Sequence, residues 1–310
     1  MHPAFSIIVF TTLAGAAQGL AVVLALAELV GLPVRSGFMN GSLLLALFML
    51  VVGLGASFMH LGRPERAWRA VLMWRTSWMS REVIVLPAFI GIVAVWWLSL
   101  RLGVGAPWDW VLPLLVIVGA AALWYCTAMI YACLRFIQEW ATPLTIVNYT
   151  LVGLSSGFVL TSALAAATEE LALLYVIGPL SLFFTLVAWF TRSLAWRRNR
   201  KLKHKSTLQS ATGIKSPKLV QKSMGMSAGA FNTREFFHGA TLAAMRQVKL
   251  TSIVLGFGVP SLLLLIGVIT HSPWPMVFAL VAQAPGLVAD RWFFFAQAKH
   301  PQNLYYQVVS

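Results

Sequence analysis

Long apolar runs broken by short polar stretches fill almost the whole chain. Eight of them, near 5–30, 39–61, 82–103, 110–135, 145–167, 171–194, 249–270 and 273–296, carry mostly apolar residues. Each reaches the about 20 residues that a helix needs to cross the hydrocarbon core of a bilayer. The pattern predicts an all-α integral membrane protein of eight transmembrane helices, arranged as two four-helix bundles, 1–140 and 141–310. Five connections are short; the segments 62–81 and 195–248 are longer and rich in Arg and Lys. Within the first run, Gly15 and Gly19 set two small residues one turn apart, a face that lets another helix approach closely. Trp68, Trp74, Trp78, Trp108, Trp110 and Trp140 fall near the ends of the runs, where interfacial tryptophans anchor membrane helices.

Composition agrees with the pattern. The chain is 59% hydrophobic and 10% charged, against about 25% charged residues in soluble domains. No Lys or Arg precedes the first run and no small-residue cleavage site closes it, so it reads as a permanent span. Of the 23 Lys and Arg residues, all except Arg35 and Arg101 fall on one side of an eight-span topology, the side of both termini and of the segments 62–81, 136–144 and 195–248. Positive charge is retained in the cytoplasm on insertion, which predicts a multi-pass protein of the cytoplasmic membrane with both termini inside. The basic run from Trp196 to Lys205 lies directly beside a span. It is therefore expected to fix orientation and touch anionic lipid, not nucleic acid.

The cysteines set a limit on redox chemistry. Cys126 and Cys133 are seven apart on one predicted helix, about 10 Å along its axis, too far for a disulfide. Two thiols do not make the four-thiolate set of an iron–sulfur cluster. Both read as small buried hydrophobes, and any cluster belongs to another subunit.

Polar groups at a membrane edge are costly and therefore candidates for function. The densest set is His60-Leu61-Gly62-Arg63-Pro64-Glu65-Arg66, where the second helix leaves the membrane, closed by Ser80-Arg81-Glu82. Ser80 is a candidate N-cap, with Glu82 in the first turn. A quinone, ubiquinone or menaquinone, suits such a place: its tail stays in lipid while its ring exchanges protons with a group that titrates near neutrality. Histidine is that group, and a neighbouring arginine favours the electron-rich ring. The other reading is a histidine at a helix C-terminus with arginines on lipid phosphates. On the fourth helix Trp124, Thr127, Tyr131 and Arg135 share a face, and Tyr131 and Arg135 are candidates for the far wall of the site. Asp290 and Arg291, adjacent on the last helix, cannot face each other, so each is expected to pair with another helix. The stretch Phe231 to Gly239 mixes aromatic and charged residues; Arg234, Phe236, Phe237 and His238, with Arg66, are candidates for docking a cytoplasmic partner. His60 and His238 are the two histidines placed to ligate a haem b, which nothing in their spacing demands. No other metal site is expected.

The run Met59-His60-Leu61-Gly62-Arg63-Pro64 with Arg66-Ala67 and Ser80-Arg81-Glu82 resembles the membrane anchor subunit of dimethyl sulfoxide reductase, within the wider group of polysulfide-reductase and NrfD-type membrane subunits. The resemblance implies a subunit without cluster ligands. Such an anchor holds a four-cluster ferredoxin-like subunit and a molybdopterin catalytic subunit at the membrane and exchanges their electrons with quinone. It also implies quinol binding by the histidine matched by His60, with Arg63, Arg81 and Glu82 beside it. The opening His2-Pro3-Ala4-Phe5-Ser6 with Thr11-Thr12, and the stretch Asn232 to Gly239, look more like the subgroup found with cytoplasmic sulfite dehydrogenases. There electrons run from substrate into quinone, the reverse of the reductase. The competing readings are a multi-pass transporter, whose polar groups belong near mid-membrane and not at one edge, and a membrane scaffold without a redox site.

Overall fold

The computed structural model describes residues 1–59, 61–203, 205–223 and 235–305. Among them no strand is formed, and eight long helices order the chain. They are α1 (Phe5–Val30), α2 (Ser36–Phe58), α3 (Trp78–Leu102), α4 (Trp108–Ala132), α5 (Pro143–Ala167), α6 (Leu171–Arg200), α7 (Leu242–Thr270) and α8 (Trp274–Ala296). The first seven are long and apolar enough to cross a membrane. α8 has the length, 23 residues, but Gln283, Pro285, Asp290 and Arg291 lower its apolarity. Its three polar side chains are turned inward: Gln283 is 1% exposed, Asp290 2% and Arg291 5%.

Most helices lie where the apolar runs place them, and the differences have local causes. α6 continues through the basic residues to Arg200, because Arg197, Arg198 and Arg200 in its last turn meet the negative end of the helix dipole. α7 starts at Leu242, not near 249, with the Thr241 side chain accepting the Ala244 amide at 3.2 Å as an N-cap. The basic connection therefore shrinks to 201–241. α2 ends at Phe58 and α4 at Ala132, each about a turn short of its apolar run. Between α2 and α3 the chain forms a 3-10 helix, Pro64–Met73, in which no residue is buried. α1 closes on Gly31, whose φ of 72° suits a residue without Cβ; the amides of Gly31 and Leu32 return to the carbonyls of Glu28 and Ala27.

α1 is the centre of the packing. It touches α2, α4, α5 and α8, while α3 closes against α2 and α4. α5 packs on α6 and α8, and α7 on the same two. A helix buried over most of its surface must be largely apolar all round, and α1 buries Ala17, Leu20, Ala21 and Leu24 completely. The small-residue face of α1 meets a second one on α5, Gly153-Leu154-Ser155-Ser156-Gly157. A Cβ on Gly157 would stand 2.1 Å from the carbonyl carbon of Gly19, and one on Gly19 would stand 2.1 Å from the Gly153 oxygen. The two backbones touch, so neither position accepts a side chain. A similar crossing joins α7 to α8. The π turn Val254–Gly258 inside α7 brings Gly256 so near Gly286 that a Cβ on Gly286 would meet the Gly256 nitrogen at 2.0 Å.

Substituting Gly157→Val should lower the unfolding temperature of the detergent-solubilised protein by a shift worth about 1–3 kcal/mol or more, the cost of forced overpacking. Gly41→Ala, with open space around its Cβ position, should leave it unchanged. Equal thermal stability of the two variants would show that the crossing of α1 and α5 does not carry the fold.

Hydroxyls join α5 to α6. Ser155 and Thr185 lie 2.9 Å apart and Ser162 and Ser181 2.7 Å apart, all four fully buried. At the turns, Arg35 between α1 and α2 hydrogen-bonds the Glu170 carboxylate and the Thr168 carbonyl between α5 and α6. Those two turns therefore share one end of the bundle. At the other end the Met1 ammonium donates to the carbonyls of Phe295 (3.3 Å) and Ala298 (2.8 Å), beside the end of α8.

Candidate functional site

His60 lies outside the described residues. Its neighbours on the 62–81 side are laid out on the surface. Arg63 is exposed at the start of the 3-10 helix, which presents Trp68, Leu72 and Met73 outward. Arg81 donates from Nε to the Trp74 carbonyl (2.9 Å) and from Nη2 to the Arg75 carbonyl (2.8 Å), with its guanidinium 4.0 Å from the Trp78 ring centre. These bonds pin the end of the 62–81 segment to α3. Arg66 is exposed and lies 3.8 Å from Glu65.

α3 begins a turn earlier than Ser80. Ser77 is its N-cap, accepting the Ser80 amide at 3.3 Å, so Glu82 falls past the first turn. Glu82 is buried, and the Thr127 hydroxyl of α4 donates to its carboxylate. Among the described residues Glu82 makes no ion pair with Arg63 or Arg81. It is instead a carboxyl held by a hydroxyl inside the loop-side end of the α3–α4 pair.

Thr127 and Tyr131 are one turn apart on α4, on the face expected for them. Arg135 is not on that face: α4 stops at Ala132, and Arg135 is exposed in the following turn. Cys133 caps the helix and is exposed, while Cys126 is buried. Tyr131 is enclosed by aromatic rings, stacked on Tyr149 at 5.8 Å and edge-on to Trp140, Phe294 and Phe295 at 5.2 to 5.5 Å. Trp140 is no interfacial anchor; it is buried, and its indole N–H donates to the Phe294 carbonyl at 3.0 Å.

Beyond Tyr149 lies a buried ionic group. Arg192 of α6 donates from Nε to Asp290 of α8 at 2.7 Å, and Ser252 of α7 donates to the same oxygen at 3.2 Å. Arg291 turns the other way and lays its guanidinium 3.9 Å from the centre of the Tyr149 ring. Asp290 and Arg291 thus serve different helices, as adjacent positions must. A small polar cavity, about 10 Å³ and so the size of one water molecule, is walled by Glu139, Asn148, Tyr149, Arg192, Asp290 and Arg291. Neither Arg192 nor Tyr149 stands out as a site residue from the chain alone. A signal existed for Arg192, a charge inside the apolar run 171–194, but it merges with the basic residues that follow.

A larger groove, about 810 Å³, opens at the same end of the bundle between the segments around 136, 236–245 and 296–304. Phe236, Phe237 and His238 line it, with His300 stacked on Phe236 at 3.9 Å. His238 Nδ1 accepts the Ala240 amide at 3.1 Å. Burial, and after it the Met1 ammonium, hold the imidazoles of His238 and His300 below the ordinary histidine value. Arg234, the remaining docking candidate, lies outside the described residues, as does one member of the possible haem pair, His60. Among the described residues no cluster of His, Cys, Asp and Glu is placed to hold a metal ion.

These features define a multi-pass helical membrane protein with its ionisable side chains gathered toward one end. Residues 1–282 match the family of the DMSO reductase anchor subunit (DmsC), and the chain belongs to that family. Across 326 aligned positions it is 45% identical to the C subunit of the sulfite dehydrogenase of Allochromatium vinosum, with 100% of both chains covered.

Proposed function

We propose that the chain is the membrane anchor and quinone-reactive subunit of a molybdopterin oxidoreductase of the sulfite dehydrogenase type. It holds a four-cluster ferredoxin-like subunit and a molybdopterin subunit at the cytoplasmic face and passes their electrons to the quinone pool. The full-length match to a sulfite dehydrogenase C subunit carries this reading, and it favours electron flow from sulfite into quinone.

The topology proposed is eight spans in two four-helix groups with both termini inside. Support comes from the ring of neighbours α1, α2, α3, α4, from the second ring α5, α6, α7, α8, and from the Met1 ammonium beside the end of α8, which calls for an even number of crossings. α8 then crosses with its charges shielded by α5, α6 and α7. Lys and Arg crowd the end that holds Met1, as a cytoplasmic face should.

Quinone is the substrate of this subunit. Its ring is proposed to meet His60 at the inner membrane edge, with the buried Glu82 as the nearby proton-exchanging carboxyl. Arg63 would give positive charge to the reduced ring. Arg81 and Tyr131 shape the surroundings, the first by fixing the 62–81 segment and the second by closing α4 against α5. Arg135, exposed beyond α4, is assigned no contact with the ring. The exposed apolar side of Pro64–Met73 and the groove at Phe236, Phe237 and His238 form the proposed docking face.

Mild-detergent purification of the tagged chain tests the reading. An iron–sulfur subunit, a molybdenum enzyme and bound quinone should accompany it, and the preparation should reduce a soluble quinone analogue with sulfite. A chain that leaves the membrane alone would fit a transporter instead. Partners without quinone reduction would fit a scaffold.

A further inference from the structure

Between Glu82 and the small polar cavity, the protein interior holds a series of polar side chains that crosses from the α3–α4 pair to the α5–α6–α8 group. The Thr127 hydroxyl binds Glu82. One turn along α4 stands Tyr131, stacked on Tyr149 of α5. The Tyr149 ring lies under Arg291, in the wall of the cavity that Asp290, Asn148 and Glu139 also line. Thr142, Asn199 and Gln297, all partly exposed, complete that wall at the loop-side end of the bundle.

Packing does not account for the hydroxyl of Tyr149. It is buried, and the polar group beside it is the hydroxyl of Tyr131, with no bond of full hydrogen-bond geometry to any other side chain. Buried polar groups are almost always satisfied, so such a group calls for a reason. A phenylalanine would stack on Tyr131 and underlie Arg291 equally well. A tyrosine hydroxyl differs in one respect: it donates and accepts at the same oxygen, which is what a proton relay between a one-water cavity and a second tyrosine requires. Arg291, 5% exposed and without an ion pair among the described residues, holds the ring at the cavity. Arg192 and Ser252 in turn fix Asp290.

We propose that Tyr149 and Tyr131 form the proton route between cytoplasmic water, entering at the Glu139–Asp290 cavity, and Glu82 at the quinone. This rests on the quinone reading above. Quinone takes two electrons, delivered one at a time by the reduced iron–sulfur clusters of the partner subunit, and two protons at its ring oxygens to become quinol. Each proton delivered through Glu82 is replaced along Thr127, Tyr131 and Tyr149 from the cavity. Tyr149 is a relay that never touches the ring, so its loss should change the rate of proton supply and not the affinity for quinone.

The test is Tyr149→Phe in the assembled complex, measured over pH 6 to 9 with a soluble quinone analogue and, separately, with an artificial dye that takes electrons from the partner subunits. Quinone-linked turnover should fall about tenfold or more, the low end of what a positioned proton-transfer group contributes. Its KM for quinone and the dye-linked rate should stay unchanged. The defect should deepen as pH rises, because protons are then scarcer, and the solvent deuterium isotope effect should grow. Tyr131→Phe added to it should cause little further loss, as for two steps in series. Wild-type turnover across the pH range would overturn the route while leaving the quinone reading intact. Parallel losses of dye-linked rate and thermal stability would mark the hydroxyl as structural and overturn it too. A wild-type complex unable to reduce quinone would sink the reading itself, and the route with it.

Discussion

Asp290→Ala should destabilise the protein by about 3–5 kcal/mol, the range found when one partner of a buried ion pair is removed. Arg192 is 4% exposed and Asp290 2%. The alanine would leave Arg192 charged in a low-dielectric interior that already holds Arg291, with the half-buried Lys249 nearby against the rings of Trp196 and Phe293. Asp290→Asn retains an oxygen for the Arg192 and Ser252 donors while losing the charge, and should fall between alanine and wild type. The double substitution Arg192→Leu with Asp290→Leu removes both charges together and should recover much of the loss, since an apolar pair of similar volume often replaces a buried salt bridge without penalty. Thermal unfolding in detergent reads all three. An alanine variant within about 1 kcal/mol of wild type, far below the range for a broken buried pair, would mean that Asp290 does not compensate Arg192.

The second large effect falls on chemistry. His60→Ala in the assembled complex should cut quinone-linked turnover by about 10² to 10⁴, the usual contribution of a general acid–base group, with dye-linked turnover intact. Of the ionisable groups in the 59–82 stretch, only the imidazole has an ordinary pKa close to neutrality. It can therefore both donate to a quinone oxygen and be refilled from water. Retained quinone reduction in His60→Ala would move the site elsewhere along the loop-side face, with Glu82 as the first group to examine.

How much of this was legible in the residues depended on whether a side chain's role followed from its own position or from its partner. The spans followed from apolar length alone, and Gly15 and Gly19 announced a close crossing. The matching glycines at 153 and 157 are plain in the chain, but a small-residue face names no partner. Asp290 and Arg291 are legible as serving two helices, since helix geometry forbids adjacent residues to pair. The sequence expectation for Trp140 differs from the structure because position near a helix end is shared by interfacial and buried tryptophans; the Phe294 carbonyl tells them apart. The extension of α6 to Arg200 and the early start of α7 were hidden by basic residues, which signal orientation in a membrane protein and say little about where a helix stops. Glu82 is legible as polar chemistry at the edge, yet its partner, Thr127, comes from another helix and has no local signal.

The central place of α1 has a consequence for biogenesis. α1 finds its tightest neighbour, α5, only after more than a hundred further residues have been made. Until then its glycine face must rest against lipid or an insertion factor. A nascent chain stalled within the fourth helix would hold an unfinished half whose most intimate contact has not yet been synthesised, and quality-control proteases would meet it in that state.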